Sequence, residues 1–224
     1  MAPKSDHEPD ETVGLRNRDL ERIIKLYEKH SDYEEEHPTL EKEALKTLKA
    51  LNGKDVACAE RLINSYKDNS DYEESALCLG EAVCTTLEAL GNKSTSNAAA
   101  LIKTYKDSSD YNESSLNLSE NVCRTLKASD KDVSYALSLI KSYKDNSDYN
   151  ENPGRLRRAV CKTLQALDNN HREERGAEIL IKAYHKESDF EESSSRLSEA
   201  VCETINALKH RSTLEAEVLI KSYH

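Results

Sequence analysis

The chain has 224 residues, a formal net charge of −10 and only 37% hydrophobic residues, with no Trp, one Phe and eleven Tyr. The signs are interspersed, so the basic face that general nucleic-acid binding demands is missing and nucleic acid is not an expected partner. No apolar run approaches the length of about 18 residues that a membrane span needs, so no membrane association is expected.

Residues 1–14, rich in Asp, Glu and Pro, read as a disordered polar tail. They hold neither the basic nor the apolar segment of a secretory signal, and a cytoplasmic protein is the expectation. From residue 15 onward one stretch of about eleven residues returns: IIKLYEKHSDY, LINSYKDNSDY, LIKTYKDSSDY, LIKSYKDNSDY, LIKAYHKESDF and finally LIKSYH. Its first tyrosines are Tyr27, Tyr66, Tyr105, Tyr143, Tyr184 and Tyr223, separated by 39, 39, 38, 41 and 39 residues. A period near 40 without strand signals predicts stacked helical pairs. The predicted fold is all-α: residues 15–224 form one right-handed α-solenoid of antiparallel helix pairs, about 39 residues per repeat, with five full pairs and a terminal helix.

Within each unit the first helix, A, carries an apolar face spaced 3, 1 and 3, as in Ala59, Leu62, Ile63 and Tyr66. A polar joint follows, with Ser-Asp-Tyr or Ser-Asp-Phe at 31–33, 70–72, 109–111, 147–149 and 188–190, and a Glu three residues after each Asp. Asp-x-x-Glu suggests a capped turn within the joint, and the aromatic is expected to fold under the stack as a wedge. Pro153 fits the first position of the second helix, B, with Asn152 as its cap and Ser75, Ser114 and Ser193 in the same role. Helix B carries a stripe such as Leu79, Val83, Leu87 and Leu90. Ser212 with Glu215 opens the last helix A, whose Leu214, Leu219, Ile220 and Tyr223 are expected to cover the end of the fifth unit.

This layout resembles HEAT-like helical repeats in period and stripe. Some proteins of that kind are enzymes, among them deoxyhypusine hydroxylases, which hold iron with His-Glu pairs; the one His-Glu pair here is His7–Glu8, in the tail. A small HEAT-like lyase or chaperone-type enzyme stays as an alternative, and a nucleic-acid-binding helical repeat as another. The chain has no Gly-rich phosphate loop, no HExxH and no GxSxG, so no catalytic residue, metal ligand or cofactor is expected.

Recurring chemistry reads as scaffold, because every unit needs it. Cys84, Cys123, Cys161 and Cys202 each follow a valine and read as small core residues. Thr47, Thr86, Thr125, Thr163 and Thr204 read as hydroxyls bonded to their own helix or the adjoining joint. Lys25, Lys103, Lys141, Lys182 and Lys221 complement helix C-termini. The joint DNSDYEE offers oxygens at Asp68, Ser70, Asp71 and Glu73 but lacks the glycine and distal glutamate of a calcium loop.

Recognition belongs where units differ. Opposite the helix B stripe, the row reads Lys42, Lys46, Lys49; Glu81, Thr85, Glu88; Glu120, Arg124, Lys127; Arg158, Lys162, Gln165; and Glu199, Glu203, Asn206. Its middle is basic, and Arg124, Lys127, Arg157, Arg158 and Lys162 are the predicted partner-binding residues. The expectation is a monomeric, non-catalytic scaffold that holds a protein or peptide through an acidic segment in the groove lined by the B helices.

Overall fold

The computed structural model describes residues 11–129, 133–169, 175–208 and 212–222. Among these the chain is entirely helical: α1 (Glu11–His30), α2 (His37–Leu51), α3 (Val56–Asn69), α4 (Ala76–Leu90), α5 (Thr95–Ser108), α6 (Ser115–Ala128), α7 (Ser134–Asp145), α8 (Pro153–Asn169), α9 (Arg175–Glu187), α10 (Ser194–Leu208) and α11 (Thr213–Ser222). Helix α1 begins at Glu11, inside the segment read as tail; residues 1–10 lie outside the described residues. Each helix touches the next but one in sequence, so odd helices form one row and even helices a second. Among the described residues no helix is long and apolar enough to cross a membrane.

Helix starts follow the predicted caps at Ser75, Ser114 and Asn152, and α3 adds one at Asp55. Asp55 accepts from the Ala57 amide at 2.7 Å, Ser75 from Cys78 at 3.2 Å, Ser114 from Asn117 at 3.3 Å and Asn152 from Arg155 at 2.9 Å. Pro153 opens α8, where its missing N–H costs nothing within the helix. Ser212 takes the Leu214 amide at 3.2 Å and opens α11. The core is the sum of the stripes: Leu62, Ile63 and Tyr66 of α3 and Leu79, Val83 and Leu90 of α4 have no exposed surface, and the pattern repeats in the units that follow.

The repeat tyrosine of each of the five pairs meets the threonine twenty residues later. Tyr27–Thr47, Tyr66–Thr86, Tyr105–Thr125, Tyr143–Thr163 and Tyr184–Thr204 are joined hydroxyl to hydroxyl at 2.5–2.7 Å. Each threonine also donates to the carbonyl four residues back, as expected for a helical hydroxyl. The cysteines of the following unit approach these threonines, with Thr47–Cys84 at 3.5 Å and Thr86–Cys123 at 3.7 Å. All six thiols are free.

Three expectations are corrected. First, Asp-x-x-Glu does not close a turn on itself; both carboxylates reach the next unit. Asp71 donates its amide to the Glu113 carbonyl at 2.8 Å, while its Oδ2 accepts the Glu113 amide at 2.8 Å and the Lys106 ammonium. Asp32 and Asp110 do the same with Glu74 and Lys67, and with Glu151 and Lys144. Glu74 in turn accepts the Ser115 amide and hydroxyl, both at 2.7 Å. The local turn is closed by serine instead: Ser70 Oγ accepts the Tyr72 amide at 3.2 Å.

Second, the joint aromatics are not wedges. Tyr33, Tyr72, Tyr111, Tyr149 and Phe190 are 44–78% exposed. Ser-Asp before and Glu-Glu or Asn-Glu after leave them no apolar neighbour within the joint. Third, α11 covers the fifth unit only in part. Ala216 is buried and Ile220 half-buried, but Leu214 is 58% and Leu219 53% exposed, while Tyr223 lies outside the described residues.

Candidate interaction surfaces

The even-row helices present the predicted variable row to solvent, and all fifteen of its residues are exposed. They project outward because Leu118, Val122 and Leu126 of α6, and Leu156, Val160 and Leu167 of α8, turn the opposite face into the core. The basic centre is partly neutralised in place. Arg124 pairs with Glu120 one turn earlier at 2.8 Å, and Lys162 reaches Glu199 of the next unit at 3.7 Å. Arg157 is half-buried and donates from Nε to Asn121 Oδ1 at 2.9 Å, so it links α8 to α6 rather than facing out. Lys127 and Arg158 are exposed, with no ion pair among the described residues. Between α8 and α10 the row is indented by a depression of about 280 Å³, lined by Lys162, Gln165, Glu199 and Glu203.

A second surface was not read from the sequence as a site. The five joint aromatics stand one per unit, each in a turn whose geometry is fixed twice. Serine accepts the aromatic's own amide at 3.1–3.3 Å and donates its hydroxyl to the glutamate four residues on at 2.6–3.3 Å. The inter-unit carboxylate bonds then hold each turn against its neighbour. Glu73 of the second unit lies beside the Tyr33 phenol and pushes its pKa up, while Asp32, Asp71 and Asp110 are held below the usual carboxylate range by the lysines that bond them. Near the other end, Tyr149 lines a depression of about 380 Å³ together with Arg155, Ser193, Ser195 and Arg196. The available sequence signal was the all-polar surround of each joint aromatic, which denies it burial.

The recurring polar groups are chemically quiet. Burial pushes up the phenols of Tyr66, Tyr105 and Tyr143 and the thiols of Cys84, Cys123, Cys161 and Cys202, which keeps them protonated and poorly nucleophilic. Asp71, an oxygen of the calcium-like stretch, is committed to Lys106 and the Glu113 amide. Among the described residues no group of three or more His, Cys, Asp or Glu is placed to hold a metal ion. One carboxylate departs from the series. Glu113 is nearly buried and bonded by Ser109 at 2.8 Å, but the residue that should donate to it from the next helix is Pro153, which has no N–H. Desolvation accordingly raises its pKa.

No family model, curated protein or solved structure matches the chain.

Proposed function

We propose that the chain is a HEAT-like α-solenoid, right-handed and built of antiparallel pairs about 39 residues long, that binds an extended protein or peptide segment without catalysis. It works in the cytoplasm as a monomer. The observation that carries the reading is the row of exposed aromatics, one per unit, each held in a doubly bonded turn. Large aromatic rings left in water and pre-ordered are what interfaces use as anchors, because little entropy is lost when they are covered. Helices packed about 8–10 Å apart set the rung spacing, and a polyproline-II segment returns the same face every three residues, about 9 Å. One turn of such a ligand per unit matches the ladder.

A second reading keeps the basic centre of the even row as the contact for an acidic segment. Lys127 and Arg158, exposed and without an ion pair among the described residues, favour it. Affinity capture from the native host, followed by mass spectrometry, compares wild type with Tyr72→Ala/Tyr111→Ala/Tyr149→Ala and with Arg124→Glu/Arg158→Glu. The aromatic triple variant is expected to lose the captured partner while its helical signal and melt stay near wild type. If the triple variant captures normally and the charge reversal does not, the basic row is the binding surface and the ladder reading is wrong.

A further inference from the structure

The aromatic edge carries one charged departure, beside Tyr149. The depression of about 380 Å³ there spans the junction of the fourth and fifth units, with Tyr149 and Arg155 from one and Ser193, Ser195 and Arg196 from the other. Arg155 and Arg196 are each the third residue of their helices, α8 and α10. The three earlier units have Thr39, Cys78 and Asn117 in that position. Stacking therefore does not require a cation there, and the helix macrodipole, positive at this end, disfavours one. Because α8 and α10 pack side by side, the two cations also disfavour each other.

Local carboxylates do not balance them. Neither α8 nor α10 has an acidic residue in its first turn. Asn150 stands where the first, second and fifth units have Glu34, Glu73 and Glu191, and Arg155 meets only its backbone carbonyl, at 3.3 Å. The Arg196 guanidinium has no partner among the described residues. Of the flanking carboxylates, Asp148 holds the Glu192 amide, Glu151 the Ser194 amide and Glu192 the Ser188 hydroxyl, while Glu199 reaches Lys162. Glu191 is exposed and unbonded among the described residues, one charge against two.

We propose that this depression is an anion subsite for a phosphorylated side chain, a dianionic phosphomonoester carried by the extended segment that the aromatic edge binds. The proposal rests on that reading of the edge and adds a register to it: the fourth rung takes the phosphorylated residue. The helix starts are not the donors, since Asn152 and Ser193 already cap the Arg155 and Arg196 amides at 2.9 and 3.4 Å. The donors are the two guanidinium forks and the hydroxyl of Ser195, an exposed residue. One fork satisfies the two oxygens of a carboxylate, whereas two forks and a hydroxyl need the three oxygens of a phosphate. The Tyr149 ring supplies an apolar wall for the carbon chain that bears it.

The first arm of the test needs no peptide. Amide NMR spectra of the full-length protein are titrated, at constant ionic strength, with N-acetyl-O-phosphoserine methylamide and with the corresponding glutamate compound. The phosphate compound is expected to shift the Ser195 and Arg196 resonances saturably, with the glutamate compound at least about tenfold weaker. Arg155→Gln/Arg196→Gln should abolish the shifts, yet melt no lower than wild type, because it removes cations from two helix starts. The second arm follows a labelled proline-rich peptide with one central phosphoserine by fluorescence anisotropy. It should bind at least about tenfold tighter than its serine form, an advantage lost in the double arginine variant, while Tyr72→Ala/Tyr111→Ala weakens both forms alike. No saturable shift, equal affinity for the glutamate compound, or shifts that survive the double arginine variant overturn the proposal. Should the first arm succeed while the tyrosine variants leave peptide binding unchanged, the anion subsite stands and the aromatic edge is refuted.

Discussion

The Tyr105–Thr125 pair makes an asymmetric prediction about stability. Thr125 has one hydroxyl hydrogen and gives it to the Asn121 carbonyl at 2.9 Å, so the 2.6 Å contact with Tyr105 must be donated by the phenol. Both side chains have no exposed surface, so no water replaces a lost partner. Thr125→Val keeps the shape and orphans a buried O–H, which costs about 1–3 kcal/mol. Tyr105→Phe removes the same bond but leaves Thr125 still donating to Asn121, and should cost about 0.5–1.5 kcal/mol. The double variant, with both partners apolar, should lie no lower than Thr125→Val alone. For a chain of this size 1 kcal/mol corresponds to about 2–4 °C in melting temperature. Urea titration followed by circular dichroism measures all four corners of the cycle, with the slope checked for constancy because repeat arrays can lose two-state cooperativity. Should Tyr105→Phe prove the more damaging single change, or should the two losses simply add, the assigned direction of the hydrogen bond is wrong.

The joint chemistry supports three more outcomes. Asp71→Ala strips the Glu113 amide and Lys106 of their shared acceptor and should cost about 1 kcal/mol or more by chemical denaturation, while Lys106→Ala, breaking only a partly exposed ion pair, should cost less. Because Asp32, Asp71 and Asp110 are held below their ordinary pKa, their stabilisation is complete above the usual carboxylate range and is lost as pH falls through the lowered values. Glu113, raised by burial, works in the opposite sense, so acid titration of Glu113→Gln should show a higher neutral-pH stability and a steeper acid loss than wild type. Pro153→Ser restores an amide and a hydroxyl to Glu113, as Ser115 supplies them to Glu74; the charged hydrogen bonds, about 1.5–3 kcal/mol, exceed the proline entropy of about 0.4–1 kcal/mol, and the melt should rise.

Much of the helical framework was legible because its signals are local. The stripes through Leu79, Val83 and Leu87, the caps at Ser75, Ser114 and Asn152, and Pro153 at the head of α8 each determine their own element from residues within one or two turns. The threonines bond their own helices, as a helical hydroxyl does, but their tyrosine partners lie twenty residues away on another helix and leave no pattern except co-recurrence. The joint was misread for a related reason. Asp-x-x-Glu has the spacing of a capping box, and spacing alone does not say whether a carboxylate turns back on its own chain or forward to a unit about 41–44 residues on.

That distinction bears on where function is sought. A residue that recurs because each unit grips the next is explained by stacking, and Asp32, Asp71, Asp110, Glu74, Glu151 and the buried repeat tyrosines are so explained. The joint aromatics recur just as strictly, yet they stay 44–78% exposed. Their amides shape the turn, a task any residue's backbone performs, so stacking accounts for the serine beside them and not for the ring. An exposed aromatic kept through five units, with Phe replacing Tyr in the last, fits the proposed ligand if that ligand uses the ring face more than the hydroxyl. Variation marks what one unit does alone, as with Arg158 and Lys127. Unexplained recurrence marks what all five units do together, and in this chain the second signal points to the aromatic edge.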